Sequence, residues 1–85
     1  MQDKKENIKK EIGLIIKSKR LALNKSISLL SNEIGLSKSV WLEIENGNRD
    51  LQFTTIWRIC EGLNIPLSDF IIEIEQKFGE YYFLS

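Results

Sequence analysis

Apolar positions along this chain recur with helical spacing. Ile8, Ile12, Ile15, Ile16 and Leu23 fall four, three, one and seven residues apart, which places them in one stripe on a helix. Asn24-Lys25-Ser26 interrupts the stripe. Ser26 or Ile27 then opens a second segment, where Leu30 and Ile34 form an i,i+4 pair and Gly35 is a natural C-terminal stop. Ser37 is a good N-cap for a third segment, with Trp41 and Ile44 on its inner face and Gly47 at its end. After the loop 48–52, a fourth segment sets Phe53, Ile56, Ile59, Cys60 and Leu63 on one face. Asn64 can close it in a left-handed conformation, and Pro66 suits the first turn of the next helix. The fifth segment carries Leu67, Phe70, Ile71, Ile74 and Phe78, and Gly79 ends it. No segment alternates with period two long enough to make a strand. The pattern predicts an all-α protein of five short helices in one domain over residues 1–85. The helical unit runs from about 8 to 78, and a short aromatic tail, 79–85, follows it.

Length and composition narrow the chemistry. A chain of 85 residues holds one core and no second domain. It has no His and one Cys, so neither a zinc site, a His-based catalytic centre nor an internal disulfide is expected. No glycine-rich phosphate loop is present. An enzyme, a metal site and a cofactor are therefore not expected. The N-terminal MQDKKENIKKE has no apolar run behind its charges and does not read as a leader. No apolar stretch approaches the ~20 residues that span a bilayer. A cytoplasmic protein without a membrane segment is the expectation.

The net charge of zero hides an asymmetry. Residues 1–38 carry nine basic and four acidic side chains, or +5; residues 39–85 carry three and eight, or −5. Such a split allows one face to meet a polyanion while the other does not. The segment of about 27–46 is two short helices joined by a tight turn, Gly35-Leu36-Ser37, which is the helix-turn-helix element. Gly35 permits a positive φ, Leu36 packs inward and Ser37 caps the second helix. With Trp41 and Ile44 turned to the core, helical geometry turns Lys38, Ser39, Leu42 and Glu43 outward together. Each has a base-edge chemistry. Lys38 can donate to guanine, Ser39 can donate or accept, Leu42 can meet a thymine methyl, and Glu43 can accept from cytosine N4.

Further residues carry a family resemblance. The turn and second helix read GLSKSVWLEIENGNR, with Ser37, Ser39, Trp41, Ile44, Glu45, Gly47 and Arg49 in register. Ile12-Gly13 leads the first helix, and Ile16 stands four before Arg20. The later helices read TTIWRICEGLNIPLSDFI. The run from Ile12 to Ile71 resembles the helix-turn-helix domain of the phage lambda repressor and Cro group, the XRE family. The resemblance implies a compact five-helix fold and a transcriptional regulator that binds double-stranded operator DNA. It implies an ion pair between Arg20 and Glu45, so that Glu45 is structural. It places Asn46, Asn48 and Arg49 at the phosphate backbone, with Lys25 and Ser28 at the start of the second helix. The chain departs from the family at Ile27, where a phosphate-binding Gln is common, at Leu29, where Glu is usual, and at Glu43, which is negative on the reading face.

The family reads palindromic sites as two-fold dimers. The general layout is similar to that of restriction–modification controller proteins, which dimerise through the fifth helix. Phe70, Ile74, Phe78, Tyr81, Tyr82 and Phe83 are the corresponding interface here, with the tail folding back onto its own domain as the alternative. A second functional class stays open: a protein-interaction module, such as an antitoxin, that grips a partner with helix 1 or the apolar tail.

Overall fold

The computed structural model describes residues 3–85 and has five helices: α1 (Lys4–Ala22), α2 (Ile27–Ile34), α3 (Lys38–Glu45), α4 (Phe53–Gly62) and α5 (Leu67–Phe78). Met1 and Gln2 of the N-terminal run discussed above lie outside the described residues. Each of the first three helices begins where a side chain satisfies a free N–H. Asp3 accepts from the Lys5 amide at 2.9 Å, Ser26 from Leu29 at 3.0 Å and Ser37 from Val40 at 3.2 Å. Gly35 closes α2 at φ 72°, and Asn24 and Asn64 take left-handed conformations after α1 and α4. Arg58 adds a second closure on α2 by donating to the Ile34 carbonyl.

All five helices contribute to one core. It comprises Ile15 and Ile16 of α1, Leu30 of α2, Trp41 and Ile44 of α3, Ile59 and Cys60 of α4, Leu63 just beyond α4, and Phe70 of α5. Burial pushes the Cys60 thiol up to about 11, which keeps it a neutral core group at physiological pH. Helix α1 lies directly on α3 because of Gly13. A Cβ there would stand 2.5 Å from the Ile44 carbonyl oxygen and 2.6 Å from that of Glu45. Any side chain at this position would force the two helices apart.

Three expectations about the core change. Leu23 does not extend the α1 stripe: it is the C-cap residue, 37% exposed, because the helix ends one residue earlier. Phe53 stands at the first position of α4, ahead of the turn that reaches the core, and is 58% exposed. Its ring instead meets the edge of Trp57 at 6.0 Å. Ile71 is likewise exposed, since the neighbouring Phe70 takes the inward position. Among the described residues, no helix is long and apolar enough to cross a membrane.

The C-terminal tail folds back on α1. Lys4 Nζ donates to the carbonyls of Tyr82, at 2.8 Å, and Ser85, at 2.5 Å. Asn7 Nδ2 donates to the Tyr82 hydroxyl at 3.2 Å, and the Tyr82 ring packs on Phe78 at 4.9 Å. This changes the expected dimer surface. Phe70 is 1% exposed in the chain's own core and cannot meet a second chain. Ile74, Phe78 and Tyr82 are half-buried by intrachain packing. Tyr81 and Phe83 remain largely outside, as do Ile72 and Leu84.

Candidate nucleic-acid interface

The geometry of α3 follows from what it buries. Trp41, Ile44 and Glu45 lie inward, so Lys38, Ser39, Leu42 and Glu43 all stand exposed on the opposite side. Lys38 makes no ion pair among the described residues. The Ser39 hydroxyl is 3.4 Å from that of Ser37. The position of α3 is set by a buried junction at its C-terminal end. Arg20 Nε donates to Glu45 Oε2 at 2.6 Å and its Nη2 to Oε1 at 3.1 Å, a two-pronged pair between α1 and α3. Trp41 Nε1 donates to the same Oε2 at 2.5 Å. Arg20 Nη1 also holds the Lys25 carbonyl at 3.0 Å, which ties the α1–α2 loop into the junction. The hydrogen bond to Glu45 raises the Arg20 pKa above its ordinary value, against the opposing effect of desolvation.

The sequence pattern did not reveal the role of Trp41 Nε1 or of Gly13. The signal for the first was present: Trp41 and Glu45 are i,i+4 on one helix and therefore share a face. Gly13 needs the α1–α3 approach to be known before its lack of a side chain means anything.

The residues assigned to phosphate contact fall into two groups. Ser28, Asn46 and Asn48 are exposed, Ser28 on the first turn of α2 and Asn46 as the C-cap of α3. The two cations are each engaged within the chain. Lys25 Nζ lies 3.1 Å from Glu33 Oε2. Arg49 Nε donates to Glu43 Oε2 at 2.6 Å, so a phosphate candidate and a base-reading candidate are bonded to each other.

A helix pair with this turn, a capped second helix with its polar face outward and a buried Arg–Glu tie behind it define a helix-turn-helix domain. The chain belongs to the helix-turn-helix family of XRE type, whose family model (HTH_3, helix-turn-helix) matches residues 16–70. It is 33% identical over 66 residues to the HTH-type transcriptional regulator SutR of Escherichia coli, an alignment covering 78% of this chain and 37% of SutR. The chain thus spans well under half the length of that relative. Its fold is similar to an HTH_3 family transcriptional regulator from Vibrio cholerae, with a TM-score of 0.76 and 26% identity over 87% of this chain and 42% of that one. It is also similar to the clp gene regulator ClgR from C. glutamicum, with a TM-score of 0.74 and 18% identity over 85% of this chain and 94% of that one.

Proposed function

We propose that this chain is a sequence-specific double-stranded DNA-binding transcriptional regulator that reads a palindromic operator as a dimer. The observation that carries the reading is the division of α3. Its inner side is locked by Trp41, Ile44 and the Arg20–Glu45 pair, while Lys38, Ser39 and Leu42 project from the other side together with Glu43, which Arg49 holds in a surface ion pair. A rigid helix with an exposed row of donors, acceptors and one apolar group is what base-edge reading in a major groove requires. Ser28, Asn46 and Asn48 are placed to hold the backbone and fix the register. The names of SutR and of the Vibrio cholerae protein as transcriptional regulators support the same class.

The dimer is the finer part of the proposal. Tyr81 and Phe83, 70% and 63% exposed, line with Leu84 an apolar groove whose walls also include Ile8, Ile74, Phe78 and Tyr82. Selection from a random duplex pool at two salt concentrations tests the whole reading. Enrichment of a palindrome, lost in a Lys38→Ala/Ser39→Ala variant, is the expected result. Binding without any enriched sequence overturns it. Light scattering at micromolar concentration is expected to give twice the 9.9 kDa chain mass, and a monomer value removes the dimer.

One observation favours a second reading. Leu14 and Leu21 are each 55% exposed and stand two turns apart on the solvent side of α1. They would serve a protein-interaction module such as an antitoxin. A stoichiometric protein partner recovered from the native host, with no duplex binding by the chain, would select this alternative.

A further inference from the structure

The ion pairs of the domain leave an unexpected set of cations free. Lys5 pairs with Asp50, Lys9 with Glu6, Lys19 with Glu73, Lys25 with Glu33, Arg49 with Glu43 and Lys77 with Glu11. Among the described residues, Lys4, Lys10, Lys17, Lys38 and Arg58 pair with no side-chain carboxylate; Lys4 and Arg58 are held instead by backbone carbonyls, of Tyr82 and Ser85 and of Ile34, which leaves Lys10, Lys17 and Lys38 without an acceptor. Lys38 is on the reading face. Lys10 and Lys17 are on α1, seven residues apart and within about 20° of each other around the helix axis.

Their position relative to α3 is fixed by two close contacts. A Cβ on Gly47 would sit 2.8 Å from Lys10 Cα and 3.2 Å from its Cγ, so the loop after α3 rests on the Lys10 stem. Gly13, between the two lysines, abuts the carbonyls of Ile44 and Glu45. The Lys10 and Lys17 side chains are exposed along this seam. A shallow cavity of about 140 Å³ lies over it, lined by Glu6, Asn7, Lys10, Asn46, Gly47 and Asn48. The acid in that wall, Glu6, is engaged by Lys9 at 2.8 Å.

We infer that Lys10 and Lys17 of α1 form, with Asn46 and Asn48, the principal phosphate-binding ridge of this domain. This rests on the DNA-binding reading above and assigns its electrostatic footprint. The reason is ion bookkeeping. A free lysine that neutralises a phosphate releases a condensed counterion, and this release drives backbone binding. Lys25 or Arg49 can reach a phosphate only by leaving Glu33 or Glu43. The bared carboxylate then takes up a cation, and the net release is close to nil. Lys10 and Lys17 carry no such offset. The backbone grip thereby moves from the start of α2, where Ile27 offers no donor, to the seam between α1 and the loop after α3.

The test is the salt dependence of duplex binding by the full chain. The probe is a labelled random-sequence duplex of about three helical turns, followed by anisotropy between about 50 and 200 mM salt. Lys10→Gln and Lys17→Gln are each expected to flatten the log–log slope by about 0.9 per bound chain, so that the affinity lost over this salt range shrinks about three-fold. Lys10→Arg and Lys17→Arg should keep the parent slope. Lys77→Gln removes the same unit of charge from α5 and should leave the slope unchanged. Slopes unaltered by both α1 glutamines, in a parent that binds duplex, overturn the ridge and leave the function standing. Equal flattening by Lys77→Gln also overturns it, by showing an effect of net charge alone. A parent that binds no duplex overturns the function and the ridge together.

Discussion

Among the described residues two Arg–Glu pairs share the same closest distance, 2.6 Å from Nε to Oε2. Arg20–Glu45 is buried, with side chains 10% and 4% exposed; Glu43–Arg49 lies on the surface, with both side chains about half exposed. Equal length here does not mean equal consequence. The buried pair is closed by further donors from Trp41 and by the Lys25 carbonyl, so little of its hydrogen-bonding capacity is left unmet. Its value lies in the penalty for breaking it, because either partner left alone is an unsolvated charge. The surface pair is screened by water and salt and holds two long side chains at an entropic cost. It can open at low cost, as the base contact proposed for Glu43 requires. One pair positions α3; the other joins α3 to the loop that follows it and is available for exchange.

Removing Glu45 is the strongest challenge to that contrast. Glu45→Ala leaves the Arg20 guanidinium and Trp41 Nε1 without their acceptor in a dry site. We expect a loss of about 3–5 kcal/mol, from a total that for a domain of this size is only about 4–13 kcal/mol. A thermal melt should show Tm falling by about 12 °C or more. A change of a few degrees would mean that water replaces the carboxylate, and the buried pair would then be no different in kind from the surface one. Trp41→Phe is a gentler form of the same test. It keeps an aromatic ring in the core and removes the Nε1 donor to a charged acceptor. The expected cost is about 1.5–3 kcal/mol, read by urea unfolding. That cost should be almost insensitive to added salt, because a buried contact is poorly screened. A cost that fades with salt would place the carboxylate in contact with solvent.

The two pairs also differ in how visible they are in the amino-acid sequence. The fold was legible because short helices here carry strong local punctuation: Ser26 and Gly35 bound α2, and Ser37 opens α3. Once those ends are set, the inward Trp41 and Ile44 determine which residues of α3 face out. The family resemblance pointed to Arg20 and Glu45, and the structure adds Trp41 and the Gly13 contact that brings α1 close enough. Periodicity could not separate an interior residue from an interface residue on α5. Phe70 and Phe78 share a helical stripe, yet only Phe70 is fully buried in the core, while Phe78 is half-buried and packs on Tyr82 of the tail. Nor could it show that Lys25 and Arg49 are occupied. Their partners, Glu33 and Glu43, are eight and six residues distant, across a loop or a helix end. Spacing along one regular helix does not govern such pairs.

Changes at the surface pair should have the smallest effect on stability and the most informative effect on recognition. A double-mutant cycle of Glu43→Gln and Arg49→Gln is expected to give a coupling below about 1 kcal/mol, declining as salt is raised. Values near those of the buried junction would show that the pair is a fixed part of the fold. Recognition should respond differently. A carboxylate at position 43 accepts from cytosine N4, whereas a glutamine accepts and donates and is suited to adenine. Glu43→Gln should therefore shift one base pair in each half of the selected site from a cytosine to an adenine on the contacted strand, with discrimination of about 1–3 kcal/mol. Arg49→Gln leaves Glu43 in place but frees it. If Arg49 only holds Glu43 in reserve, the selected base stays cytosine. If instead the base preference at that one position weakens while the rest of the site is kept, Arg49 orients the carboxylate toward the groove. The pair would then be a specificity device whose ease of opening is the property selected for.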